Sequence, residues 1–244
     1  MEKANTHSET ANNLRQIGLV MHNYHAEMGT LPTAAICDKE GRPLLSWRVA
    51  ILPLIEQANL YRQFKLDEPW NSPSNIKLLD QMPATYAMPG REAKKGETFF
   101  RVFTGAETIF LPNKPGDGPI GRGIRLTDIT DGTSNTLMIV EAAESVPWTK
   151  PDDLPYDAKK PLPKLGGSEP DRFWALFADG SVRSLRTKMR EETLRALITR
   201  AGAELPDWDE IEPGRNEPRR PSRPPQERES ATQPKIRPEP ERKP

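Results

Sequence analysis

The sequence predicts an α+β protein on three observations. Apolar side chains recur at helical spacing within residues 12–28, which is typical of an amphipathic helix. Residues 98–103 are β-branched and aromatic, as strands are. Two further strand-like runs, 173–178 and 181–185, flank the pair Asp179-Gly180 and predict a β-hairpin. We therefore expect an N-terminal helix, an antiparallel sheet, additional helices, Pro-rich loops and a disordered C-terminal tail.

The first helix has one apolar stripe. Its members are Leu14, Ile17, Met21, Tyr24 and Met28. Thr6 with Glu9 has the form of a capping box, which predicts a start near Ser8. Gly29 predicts the end, because glycine tolerates left-handed backbone angles.

Three more helices are predicted. Ser46 is a suitable N-cap for a helix over 47–64, which carries a wide apolar face. Pro53 should kink or split that helix, because proline removes an amide donor and crowds the preceding turn. Residues 74–82 predict a short third helix, and 190–201 a closing helix.

The strands alternate with turn-rich loops. Residues 136–141 form a short apolar run, which favours a buried strand. In the hairpin, Phe173 faces opposite to Trp174, so both faces of that strand are expected to be covered. The Asp179-Gly180 pair favours a type I′ turn. Loops are expected at 30–45, 112–123 and 147–163.

The 244 residues suit one domain with a tail. We assign 1–8 to a short N-terminal extension, 9–205 to the domain and 206–244 to the tail. The tail is rich in Pro, Arg and Glu and has too few apolar side chains to offset its conformational entropy. Within it, residues 219–225 could be a proline-rich ligand for an aromatic groove or a solvated segment.

Composition excludes several classes of function. Lys+Arg and Asp+Glu are 35 each, so net charge gives no argument for nucleic acid or anionic membrane partners. No run approaches the roughly 18 apolar residues needed to cross a bilayer, and residues 1–10 do not resemble a signal peptide. As written, the chain is expected to be cytoplasmic and not to insert into a membrane. Cys37 is the single cysteine, so no intrachain disulfide can form.

One cluster of oxygen-bearing side chains could hold calcium. Asp128, Asp131, Ser134 and Asn135 lie within eight residues, and calcium takes six to eight oxygen ligands. The spacing is not that of an EF-hand, and Asp and Asn also form turns by bonding their own backbone. Calcium binding and a purely structural turn are both open. The nearest further carboxylates are Glu141 and Glu144.

No catalytic residue is assigned, and no other cofactor is expected. His22 and His25 are neighbours on the helix and could share zinc, but a third ligand with suitable spacing is missing. Cys37 has no adjacent base, and no serine lies in a nucleophile-elbow motif. Phosphate-loop and dinucleotide-binding fingerprints are also missing.

Aromatic side chains in the loops and hairpin suggest a second type of site. Trp148, Tyr156 and Trp174 could line a ligand pocket, as aromatic rings often do. The alternative is that they pack in the core or against loops.

Several ordered segments resemble one family. They are residues 12–19, 22–25, 31–32, 45–49, 52–57, 67–73, 127–136 and 177–182. Together they resemble the planctomycete pilin-like domain family DUF1559, which is also filed as bacterial extracellular solute-binding family 10. The resemblance spans roughly residues 12–185.

The resemblance implies a pilin-like helix packed on a small antiparallel sheet. It implies a role like that of pseudopilins in type II secretion or type IV pili, with protein partners and no enzymatic activity. Members are usually exported and anchored in the inner membrane through a leader and an apolar helix, neither of which is visible here. Thr10 and Met88 stand where members often have Cys, and Glu169 stands where they usually have His.

Three functions follow from these observations. The leading hypothesis is a non-enzymatic pilin-like structural or interaction domain. The alternative is an extracellular solute- or carbohydrate-binding domain built on the aromatic loops. The third is a metal-dependent hydrolase using the Asp cluster.

Overall fold

A computed structural model describes residues 2–212, with side chains from residue 5 onwards. Its α-helices are α1 (Glu2–Met28), α2 (Trp47–Ala50), α3 (Ala58–Tyr61), α4 (Glu191–Ile198) and α5 (Trp208–Ile211). Short 3₁₀ helices span Leu52–Ile55, Asn75–Gln81, Ala84–Tyr86 and Leu126–Asp128. The strands are β1 (Ala35–Cys37), β2 (Pro43–Ser46), β3 (Glu97–Arg101), β4 (Phe103–Thr104), β5 (Leu137–Pro147), β6 (Leu154–Pro155), β7 (Arg172–Phe177) and β8 (Val182–Arg186).

The central sheet has the strand order β3-β5-β7-β8, with every neighbouring pair antiparallel. The β1 and β2 strands form a separate antiparallel pair. The β4 and β6 strands form a short parallel pair in which Phe103 lies opposite Leu154. In the strand pairing, these two small pairs are separate from the central sheet.

Both faces of the central sheet are buried. Trp174 and Leu176 of β7 join a large apolar cluster together with α1 and the segment that follows it. Phe173 and Phe177, which point the other way, join a second cluster with α4 and α5. The predicted coverage of both strand faces is confirmed, as is the α+β class with its helix on an antiparallel sheet.

The α1 helix packs across the β7–β8 hairpin. Leu14, Ile17 and Met21 are fully buried, whereas Met28 at the end of the predicted stripe is exposed. Gly18 permits close approach, because a Cβ there would lie 2.9 Å from Leu176 Cδ1. Among the described residues, no helix is both long and apolar enough to cross a bilayer.

The predicted start of α1 near Ser8 is wrong. The helix begins at Glu2 and carries Thr6 and Glu9 in its interior. Asn5 Nδ2 donates to Glu9 Oε1 at 2.7 Å, a contact between neighbouring turns. The buried side chain of Thr10 shows that this part of α1 packs on the rest of the protein. This packing explains why the helix extends in the N-terminal direction beyond the predicted cap.

The second predicted helix is split, as expected from Pro53. The Ser46 hydroxyl caps α2 by accepting from Arg48 N–H. Pro53 then lies in the first turn of the 3₁₀ helix Leu52–Ile55, and Glu56 ends it with a φ of 61°. Proline is tolerated there because first-turn amides have no partner within the helix.

Several other predicted boundaries need correction. The third helix is a 3₁₀ helix, Asn75–Gln81, and the strand at 98–103 is divided between β3 and β4. The β5 strand runs to Pro147, six residues beyond its predicted end at 141. The predicted loops 30–45 and 147–163 contain strands, β1 and part of β2 in the first and β6 in the second.

The hairpin is confirmed, but its type I′ turn is wrong. A type I′ turn needs positive φ at both central residues. Gly180 has a φ of 82°, whereas Asp179 is not among the residues with positive φ. Gly180 N–H donates to Phe177 O at 2.9 Å, and Phe177 N–H donates to Ser181 O at 2.9 Å. The loop therefore has three residues and ends in a left-handed glycine.

The first residues of the predicted tail contain regular structure. Residues 208–211 form α5, and Asp207 caps it by accepting from Glu210 N–H. Ile211 is fully buried in the second apolar cluster, which explains the order of this segment. The proline-rich motif at 219–225 lies outside the described residues.

A buried guanidinium joins the small strand pairs to the central sheet. Arg48 Nη2 lies 3.1 Å from Asp153 Oδ1, and the two side chains are 0% and 2% exposed. Arg48 also donates to Ser46 Oγ at 2.7 Å and to the Phe100 carbonyl. Asp153 Oδ1 accepts from Val102 N–H at 3.0 Å. One ion pair thereby ties α2 to β3 and to the segment entering β6.

We predict that Arg48→Met lowers the free energy of unfolding by about 3–5 kcal/mol, because it leaves the buried Asp153 carboxylate without its cation. Urea denaturation measures this loss. The double variant Arg48→Met/Asp153→Asn should recover part of it. As a control, Lys95→Met breaks an exposed pair with Asp80 and should cost less than about 1 kcal/mol. A similar small loss for Arg48→Met would contradict the prediction.

Candidate functional site

The calcium candidates lie in the loop that enters β5, and Asp128 is the first of them. Its Oδ2 accepts from Arg125 N–H at 2.9 Å, and Oδ1 lies 3.0 Å from Arg125 Nη2. The Arg125 side chain, then its backbone N–H, holds the pKa of Asp128 below its usual range. This carboxylate therefore fixes the short helix Leu126–Asp128 to the residue that precedes it.

Asp131 has a different set of partners. Its Oδ2 accepts from Gly202 N–H at 2.7 Å and its Oδ1 from Ala203 N–H at 2.9 Å. Ala203 has a φ of 60°, which is unfavourable for a residue with a side chain. Asp131 thus holds a turn after α4 in an unfavourable backbone conformation.

Asn135 closes the same loop. Its Nδ2 donates to Asp131 O at 3.0 Å, and its Oδ1 accepts from Trp208 Nε1 at 3.2 Å. Ser134 is exposed at the surface of the loop. Asn135 therefore links the loop to α5.

These side chains have separate structural partners. Calcium binding would have to displace Arg125 from Asp128, and two backbone amides from Asp131. Glu141 is fully buried and pairs with Arg91 at 2.9 Å, whereas Glu144 is exposed. Among residues 2–212 there is no group of three or more His, Cys, Asp or Glu side chains that could hold a metal ion. The geometry favours the structural turn over a calcium site.

The two Asp-Gly segments, 127–136 and 177–182, are packed together. Ala178 N–H donates to Thr136 O at 2.9 Å, and Asp179 N–H donates to Thr133 O at 3.1 Å. The hairpin turn therefore rests on the loop that enters β5. This contact joins two motifs that are more than 40 residues apart in sequence.

The two helical histidines have different surroundings. His22 lies beside the hairpin turn, where a Cβ on Gly180 would be 3.6 Å from His22 Nε2. His25 Nε2 accepts from Leu126 N–H at 3.2 Å. The arrangement gives no support to a shared zinc ion.

The three aromatic candidates do not form one pocket wall. Trp148 is fully buried, stacks on Tyr86 at 5.8 Å and donates through Nε1 to Leu79 O at 3.0 Å. Tyr156 packs against the second apolar cluster, with the Arg195 guanidinium 5.6 Å from its ring centre. Trp174 packs against the first cluster, with His7 at 5.8 Å. Each ring has its own packing environment.

Cys37 is buried in β1. Burial, and after it the nearby Asp38 carboxylate, raises the pKa of the Cys37 thiol to about 11. The thiol is therefore protonated at neutral pH, which is the opposite of what a nucleophilic cysteine requires.

Sequence reasoning missed the buried charged residues. Glu141 accepts from Arg91, from both Ser168 N–H and Ser168 Oγ–H, and from Trp174 N–H. Asp153 stands in what the sequence presents as an ordinary loop. The sequence did carry one signal for Arg48 and Glu141, since each is a charged residue within an apolar run. Such a residue is expected to be buried, and a buried charge requires a partner.

We predict that Asp131→Ala lowers the free energy of unfolding by about 1–2 kcal/mol, because it leaves two backbone amides without their acceptor. The loss should be equal in calcium chloride and in EDTA when measured by urea denaturation. Ser134→Ala, on the exposed part of the same loop, is the control and should have no effect. A loss that appears only with calcium would instead support the metal site.

We predict that Cys37 reacts slowly with iodoacetamide in the folded protein. With a pKa of about 11, about a thousandth of the thiol is ionised at pH 8, against roughly a quarter for an unperturbed cysteine. Mass spectrometry should show the native rate rising steadily with pH towards 11 and a much faster reaction in urea. A native rate that levels off near pH 8 would contradict the prediction.

Comparison with known proteins gives one result. Residues 8–112 match the family model SBP_bac_10, described as a protein of unknown function, DUF1559. This match includes α1 from residue 8 onwards and the Ser46–Arg48 segment, and it ends before both Asp-Gly segments. No curated protein and no solved structure matches the chain. The predicted resemblance to the DUF1559 family is confirmed over residues 8–112, and its extent to residue 185 stays a prediction.

Proposed function

We propose that this chain is a non-enzymatic, pilin-like structural or interaction module related to components of type II secretion or type IV pili. The observation that carries the proposal is the packing of α1. The helix has 27 residues and lies across an antiparallel hairpin, with its apolar stripe inward. This is the arrangement that the family resemblance implies for a pilin-like domain.

The use of polar residues supports a non-enzymatic role. Arg48, Asp131 and Asn135 come from the motifs that carry the resemblance, and each is bonded to the framework of the fold. Catalytic groups, in contrast, need geometry that leaves them free to reach a substrate. The metal-dependent hydrolase hypothesis therefore has little support from the Asp cluster.

The outer face of α1 is proposed as the surface for protein partners. It is mainly polar, with Asn12, Arg15, Gln16 and Asn23 exposed. Leu19 lies in the middle of this face and is 64% exposed. An exposed leucine flanked by the side-chain amides of Gln16 and Asn23 can pack against a partner helix. The long Arg15 side chain on the same face can keep its guanidinium in water.

The alternative, a solute- or carbohydrate-binding domain built on Trp148, Tyr156 and Trp174, has less support. Sugar-binding aromatic rings act together on one ligand. Here Trp148 is fully buried within the first cluster, Trp174 packs against that cluster beside His7, and Tyr156 packs against the second cluster. The balanced net charge also gives no argument for nucleic acid as a partner.

We predict that a photo-crosslinking amino acid at Leu19 forms discrete protein adducts in the cells that produce this chain. Leu205 supplies a matched control, since it is an 84% exposed leucine placed between α4 and α5. Adducts from position 19 should contain a second copy of this chain or another helix-on-sheet secretion protein, identified by mass spectrometry. Equal yields from both positions, or no adduct at position 19, would count against the proposal.

A further inference from the structure

A cleft with a positively charged lining lies where three parts of the chain meet. They are residues 106–112 after β4, residues 114–122 of the following loop, and Arg200 just beyond the end of α4. Its cationic side chains are Lys114, Arg122 and Arg200, and among the described residues that line it Asp117 alone carries a carboxylate. Its volume is about 350 Å³, within the range of small-molecule sites. We refer to it as the basic cleft.

Two of the three cations in the basic cleft are accessible and unpaired. Lys114 and Arg122 are both exposed. Within residues 2–212, neither the Lys114 ammonium nor the Arg122 guanidinium has an ion-pair or hydrogen-bond partner. Like charges that line one cleft repel each other, so an anion bound between them relieves this repulsion as well as adding attraction.

Arg200, the third cation, is held in place by the protein backbone. Its Nη1 donates to Ala106 O at 2.6 Å and to Thr108 O at 2.8 Å. Its own backbone N–H donates to Glu107 O at 3.0 Å, whereas the Glu107 side chain does not line the cleft. Nε and Nη2 have no partner in the described part of the chain. A guanidinium fixed in this way loses little side-chain entropy when it binds a ligand.

The carboxylates near the basic cleft already have partners. Asp117 Oδ2 accepts from Lys114 N–H at 2.9 Å. The pKa of Asp128 is lowered mainly by Arg125 and also by Arg200, and its Oδ1 lies 3.0 Å from Arg125 Nη2. The three cations and one carboxylate of the lining therefore leave two positive charges, to which the Arg125–Asp128 pair adds none.

This charge and shape suit a phosphate monoester. Such a group carries nearly two negative charges at neutral pH, which matches the excess charge of the lining. Its oxygens accept hydrogen bonds from guanidinium groups in a bidentate geometry. The cleft has more room than a bare phosphate ion requires, and Leu111 and Pro112 form an apolar part of its wall.

We propose that the basic cleft binds a small phosphate monoester, an organic compound with one terminal phosphate group. Arg200 and Arg122 donate to the phosphate oxygens, Lys114 adds a third positive charge, and the organic part packs on Leu111 and Pro112. The site is separate from the aromatic side chains considered above, and the proposal does not depend on the pilin-like role of α1.

The test follows ¹⁵N chemical shifts of the full chain at low ionic strength, because salt screens exposed charges. The probes are glucose 6-phosphate, glucose as its neutral counterpart, and succinate as a dianion without phosphate. We expect glucose 6-phosphate to shift the lining amides saturably, including those of Leu111, Arg122 and Arg200. Glucose should cause no shift, and succinate should bind more weakly. No saturable shift with glucose 6-phosphate, or equal binding of either comparator, would overturn the proposal.

A double variant tests whether the cations of the basic cleft carry the binding. Lys114→Gln/Arg122→Gln changes two exposed, unpaired side chains and should remain folded, while affinity for glucose 6-phosphate falls roughly tenfold. The matched control, Lys159→Gln/Arg186→Gln, removes the same charges from exposed positions that do not line the cleft. The control should bind as the unmodified chain does. Unchanged affinity in the first variant, or an equal loss in both, would overturn the proposal.

A third variant should change the affinity in the opposite direction. Asp117→Asn removes the carboxylate of the lining but keeps a side-chain oxygen that can accept from Lys114 N–H. Affinity for glucose 6-phosphate should therefore rise about threefold. A fall in affinity with an unchanged melting temperature would count against the proposal.

Discussion

The buried Arg48 guanidinium is the interaction on which the arrangement of the small elements depends. It stands at the start of α2, and its partners come from the cap of that helix, from β3 and from the segment that enters β6. A charge this deep is stable only when all of these acceptors are in place. The position of α2 relative to the sheet is therefore fixed by hydrogen-bond geometry as well as by apolar packing, which alone would tolerate some sliding.

The central sheet depends on a second constraint, since both of its faces are apolar. The α1 helix covers one face through Leu176, and α4 and α5 cover the other through Phe177. The loop that enters β5 links these layers. Asp131 accepts hydrogen bonds from the turn after α4, and Asn135 accepts one from Trp208 of α5. The Thr136 carbonyl accepts a hydrogen bond from Ala178 N–H in the hairpin turn. The Asp-Gly segments thus act as joints between layers, which explains their density of polar residues without invoking a metal.

Local patterns predicted the parts of the fold that local physics determines. The apolar period located α1, Pro53 located the break after α2, and Asp179-Gly180 located the hairpin. The start of α1 and the type of turn were wrong, because contacts distant in sequence decide them. The ion pair of Arg48 with Asp153 joins residues that are 105 positions apart in the sequence. A local periodic pattern cannot predict such a pair. Trp148, Tyr156 and Trp174 are candidates for a ligand site on residue type alone. Their different packing partners are visible only in the folded structure.

The family match covers residues 8–112, yet this segment is not self-contained in the structure. Its Arg48 is neutralised by Asp153, and its helix α1 is buried against Leu176 and the hairpin. Separated from the rest of the chain, the segment would carry an unpaired buried cation and an apolar helical stripe exposed to water, both of which are unfavourable. The matched segment is therefore stabilised by residues beyond the match, which favours folding of the two parts as one unit.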